Sequence, residues 1–148
     1  MIRRLDHVAI LVRNTEEALK NYRDRLGLGY VSSESLLKLR VRLTYLDLGN
    51  AYLQLLEPLD DLSEAARALS TTGEGLHHIC FGVDDVVQSC RLLGDIEDDL
   101  ELPTASGRGR LSAFVPGWRP NDVRIECTEF FPGVDLDKSS FWEWSNRD

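Results

Sequence analysis

Two imidazoles, an amide and a carboxylate stand at matched places in this sequence. His7 lies in one apolar stretch, and Gln54 lies in another 47 residues later. His78 and Glu126 repeat the relation 48 residues apart. In a strand, neighbouring side chains alternate faces. Leu53 and Leu55 flank Gln54, and Ile125 and Cys127 flank Glu126, so each polar residue points away from an apolar pair. Two ring nitrogens, an amide oxygen and a carboxylate make a mixed donor set suited to Zn²⁺, Co²⁺, Ni²⁺, Mn²⁺ or Fe²⁺. Four protein ligands on two walls of a cleft leave coordination positions open for substrate oxygens. A carboxylate in an apolar strand is costly to bury unless it is paired or metal-bound, which makes Glu126 the hardest of the four to assign to packing. Gln54 taken alone also fits ordinary pairing with backbone groups. His77 is read as a solvated neighbour on the opposite face, and Cys80, Cys90 and Cys127 as small hydrophobes.

The elements that must hold these residues repeat once. Asp6-His7-Val8-Ala9-Ile10-Leu11-Val12 and His77-His78-Ile79-Cys80-Phe81-Gly82-Val83 both read as short buried strands. A helix start follows each. Asn14 or Thr15 caps the first, Ala18, Leu19, Tyr22 and Leu26 give its apolar face, and Gly27 stops it. Asp84 and Asp85 open the second, Val86, Val87, Cys90 and Leu93 line it, and Gly94 stops it. Strand-like stretches come next: residues 30–33, 39–48 and 51–56 in the first half, 111–115 and 123–129 in the second. The order is β-α-β-β-β, twice. Residues 1–60 form the first module, 61–75 a connecting helix and linker, 76–130 the second module and 131–148 a tail. The tail carries Phe141, Trp142 and Trp144 without a clear period, so these aromatics are expected to pack on the body or on a second subunit.

Composition narrows the function classes. The 148 residues suit one domain or two fused halves, and the net charge of −8 argues against a nucleic-acid surface and against docking on an anionic membrane. No apolar run approaches the ~20 residues of a membrane span. Met1 to His7 does not read as an export signal. Three cysteines without a CxxC suggest neither a disulfide framework nor a thiolate zinc site, and a reducing cytoplasm is the expected compartment. The acidic run from Asp95 to Glu101 has the wrong spacing for a calcium loop and is read as solvated.

Four stretches together carry a resemblance: Leu5 to Ile10, Leu53-Gln54-Leu55-Leu56-Glu57-Pro58-Leu59, Gly73-Glu74-Gly75-Leu76-His77-His78-Ile79, and Val123-Arg124-Ile125-Glu126. The chain resembles the vicinal oxygen chelate superfamily from about Arg4 to Glu129, and within it most resembles the methylmalonyl-CoA epimerases. The resemblance implies an α+β fold of two paired βαβββ modules forming a cupped mixed sheet around one divalent metal ion. It implies His7, Gln54, His78 and Glu126 as ligands, a small-molecule substrate chelating through two oxygens, and a homodimer. The implied chemistry is epimerisation or isomerisation of a 2-substituted acyl-CoA or similar acid through an enolate, with Glu126 as a catalytic base on one face.

The sequence departs from the epimerase pattern in two places. Some epimerases carry a second carboxylate on the strand that here reads Val41-Arg42-Leu43-Thr44, and Leu43 takes its place; Tyr45 and Glu34 are candidates for the group on the other face. A His-Pro-Lys-type stretch is replaced by Pro116-Gly117-Trp118-Arg119-Pro120, while Gly107-Arg108-Gly109-Arg110 is kept. Arg108, Arg110 and Tyr45 are the expected substrate contacts. Three other functions compete: a glyoxalase-type lyase; an iron(II) dioxygenase built on His7, His78 and Glu126, against which Gln54 counts; and a non-catalytic small-molecule binder, against which the intact donor set counts.

Overall fold

The computed structural model describes residues 2–96 and 103–135. Most of the acidic run (Glu97, Asp98, Asp99 and Glu101) and the tail aromatics Phe141, Trp142 and Trp144 lie outside the described residues. The elements are β1 (Ile2–Leu11), α1 (Thr15–Leu19) continued by a π-helical segment (Lys20–Arg25), β2 (Gly29–Leu36), β3 (Val41–Asp47), β4 (Tyr52–Pro58), α2 (Glu64–Thr72), β5 (Gly75–Val83), α3 (Val86–Gly94), β6 (Thr104–Ala105), β7 (Leu111–Phe114), β8 (Ile125–Glu129) and α4 (Pro132–Asp135). The repeat is visible in the pairing. Strands run β2-β3-β4-β1 in one half and β5-β8-β7-β6 in the other. The β1–β4 and β5–β8 pairs are parallel and the other pairs of each half antiparallel, which gives the α+β, twice-repeated βαβββ fold.

The chain divides into two compact units, one from residues 7–48 and 52–78, the other from 2–6, 49–51 and the described residues after 78. The division crosses β1 between Asp6 and His7 and β5 between His78 and Ile79. In the unit that begins at His7, two apolar clusters cover opposite faces of the strands. Val12, Ala18, Leu19, Leu46, Leu53 and Leu55 pack the face under α1. Leu11, Val41, Leu43, Tyr45, Leu56 and Ala65 pack the other, with Ala68 and Leu69 of α2 against them. The second unit has its own cluster, in which Val86 and Cys90 of α3 meet Ala113, Val115, Ile125 and Cys127.

Local chemistry sets the helix ends. Asn14 accepts the Glu17 amide at 3.0 Å, Ser63 accepts that of Ala66 at 3.0 Å and Asp85 that of Gln88 at 2.8 Å, each satisfying an otherwise orphan donor. The first helix differs from its expected form. It leaves α geometry after Leu19, with the Leu26 amide bonded to the Asn21 carbonyl at 2.9 Å, five residues back. Tyr22 still packs against the cluster under α1, while none of Lys20 to Arg25 is fully buried. Gly27, at φ 75°, ends the segment in a conformation that glycine adopts without Cβ strain.

Candidate functional site

In the unit that begins at His7, the face toward α2 also holds several of the expected site residues. The β1–β4 and β3–β4 registers align Ala9, Gln54 and Tyr45 across three strands, with His7 opposite Tyr52. The strand period therefore turns His7, Gln54 and Tyr45 to one face, while Leu53 and Leu55 enter the opposite cluster. Gln54 thus points away from its apolar neighbours Leu53 and Leu55, as their flanking positions predict.

The structure brings His7 and His78 together. Their Nε2 atoms lie 3.2 Å apart, and both rings are buried. The Nδ1 of His78 lies 2.7 Å from the Nδ1 of His77. His77 is half-buried and its ring meets that of His78 edge-on, which corrects its reading as a solvated neighbour. Strand alternation alone misplaces it, because Nδ1 is close enough to the backbone to meet a neighbour's Nδ1 along the strand. Gln54 Nε2 donates to Tyr45 Oη at 2.8 Å. Tyr45 is 1% exposed and meets the His7 ring edge-on at 5.9 Å.

Glu126 belongs to the second unit. It is buried on β8, in register with Cys80 on β5 and Phe114 on β7, while Ile125 and Cys127 turn to the α3 cluster. Cys80 is fully buried beside it. Burial, with the Glu126 and Asp6 carboxylates adding to it, pushes the Cys80 thiol well above its ordinary value, so the sulfur stays protonated.

The two arginines of the glycine-bearing loop have different surroundings. Arg110, an expected substrate contact, is placed in a buried ion pair. Its guanidinium forms a two-pronged pair with Asp135 at 2.7 and 2.8 Å, bonds the Glu129 carbonyl at 2.9 Å and lies over the Phe131 ring. A buried guanidinium requires a charged partner, and Asp135 supplies it. Arg108 adopts φ 60° and pairs with Asp6, which is itself buried. Sequence reasoning missed Asp6, although an acid directly before a candidate ligand is a readable signal. Leu43 sits in the α2-facing cluster, and Glu34 is its register partner on β2, half-buried.

The donor chemistry fits a divalent cation. Zinc–imidazole bonds are about 2.0–2.1 Å, so two ring nitrogens on one ion stand about 2.8–3.0 Å apart at a right angle and about 3.3–3.4 Å apart at the tetrahedral angle. The His7–His78 separation of 3.2 Å falls between these. The Gln54 amide has its nitrogen on Tyr45, which leaves the oxygen as the donor on its other side.

This fold and these donors define a class. Residues 6–105 match the model of the glyoxalase/bleomycin resistance protein/dioxygenase superfamily, and the chain belongs to that superfamily. The ethylmalonyl-CoA/methylmalonyl-CoA epimerase of Cereibacter sphaeroides is 36% identical over 88 residues, covering 59% of this chain and 66% of its own. An uncharacterised Bacillus subtilis protein, YqjC, is 30% identical over 128 residues, covering 85% of this chain and 91% of its own. The Streptomyces coelicolor methylmalonyl-CoA epimerase, solved in complex with 2-nitronate-propionyl-CoA, superposes with a TM-score of 0.79 at 26% identity, covering 87% of this chain and 98% of its own.

Proposed function

We propose that the chain is a divalent-metal-dependent epimerase or isomerase acting through an enolate on a 2-substituted acyl-CoA or a similar oxygen-chelating acid. The observation that carries this reading is the pair of buried imidazole nitrogens at ligand spacing in a chain related to methylmalonyl-CoA epimerases. His7, Gln54, His78 and Glu126 are the proposed ligands. When bound, the cation supplies Lewis acidity toward a substrate carbonyl oxygen. Glu126 has two carboxylate oxygens, so one can ligate while the other takes the α-proton from one face, and inversion then needs a proton delivered to the other face. Glu34, in register with Leu43, is assigned the opposite face of the substrate. Tyr45 holds the Gln54 amide, and Arg108 is assigned to an anionic group of the substrate. The proposed setting is the cytoplasm, and the proposed assembly a homodimer.

Elemental analysis of the purified protein tests the ligand set. Near-stoichiometric divalent metal in the wild type, lost in His78→Ala and in Glu126→Ala, is the expected result. With methylmalonyl-CoA in D₂O, the loaded wild type should place deuterium at C2. Oxygen consumption by the iron(II)-loaded protein without such exchange would replace this reading with a dioxygenase.

A further inference from the structure

All three histidines of the chain, His7, His77 and His78, form one line of ring contacts. We infer that His77 is a positioning residue that holds His78 in the tautomer able to ligate. This rests on the proposed cation site, and it concerns a residue outside the ligand set.

A short contact between two ring nitrogens is favourable only when one of them carries the proton. The Nδ1 atoms of His77 and His78 are 2.7 Å apart, so one donates and the other accepts. On the far side of its ring, His78 presents Nε2 toward His7 Nε2. To bind a cation there, His78 must keep Nε2 bare and carry its proton on Nδ1. That proton then points at His77 Nδ1, which must be the acceptor, and His77 carries its own proton on Nε2. The reverse assignment aims an N–H of His78 at the cation. Histidine ligands generally donate their other ring proton to a fixed partner that sets both tautomer and ring orientation. Such partners are usually carboxylates or carbonyls; here a second imidazole, one residue away, takes the role.

The test uses full-length protein titrated with Zn²⁺ against a competing chelator. His77→Phe should weaken Zn²⁺ binding by about 10–100-fold, the usual cost of losing such a partner. His77→Asn keeps an acceptor oxygen and should stay much closer to the wild type. Imidazole ¹⁵N spectra of the Zn²⁺-loaded wild type should show His78 protonated at Nδ1 and His77 at Nε2, a readout independent of whether the variants fold. Equal affinity in His77→Phe, or the opposite protonation pattern, overturns the inference alone. A wild type that takes up no Zn²⁺ overturns the cation reading and this inference with it.

Discussion

At the scale of single residues, the site depends on which partner each polar group finds. Glu34 and Leu43 occupy one register position, so the carboxylate lies beside a side chain that cannot move a proton. If Glu34 serves one face of the substrate and Glu126 the other, Glu34→Gln separates two observables. Deuterium should still enter C2 from one enantiomer, while interconversion of the enantiomers falls by at least about 100-fold, the smaller end of general acid–base effects. An NMR time course in D₂O reads both, and unchanged interconversion removes Glu34 from the mechanism. What the sequence revealed at this scale was orientation. Gln54 and Glu126 are flanked by apolar pairs, and a period of two is enough to say which way they face. Partner choice was hidden, because Arg110 meets Asp135 across 25 positions and His77 meets His78 against the alternation rule.

At the scale of elements, caps and stop signals account for most boundaries. Asp85 is the cap of α3, whose Val86 and Cys90 enter the second unit's core. Asp85→Ala should therefore lower stability by about 1 kcal/mol, read as a shift in urea midpoint, with little effect on activity. The strands, the duplication and α3 were legible because hydrophobic period and cap chemistry are local. The π-helical segment was not, since Tyr22 and Leu26 fit ordinary helical spacing and nothing local signals the wider turn. The second helix, Glu64 to Thr72, lies within the expected connecting segment 61–75, and Gly73 follows it at φ 75°.

At the scale of the molecule, charge and burial set the response to acid. The Asp135 carboxyl would be raised by burial, but the Arg110 guanidinium and the Phe131 amide outweigh that and hold it below its usual range. A lowered folded value stabilises above the unfolded carboxylate's pKa of about 3.9 and is lost as pH falls through the folded value. Asp135→Asn should cost about 3–5 kcal/mol near neutrality, because it leaves Arg110 without its counter-charge, and the gap to wild type should begin to narrow as pH falls below about 4. Urea midpoints across that range check it. Among the described residues no helix is long and apolar enough to cross a membrane. The adjacency of Glu34 and Leu43 reaches further than one variant. Antiparallel ribbons make cross-strand neighbours of positions that a sequence alignment keeps in separate columns. An acidic group can therefore migrate laterally between ribbons during divergence, and a relative that looks inactivated in one column can keep its chemistry in another.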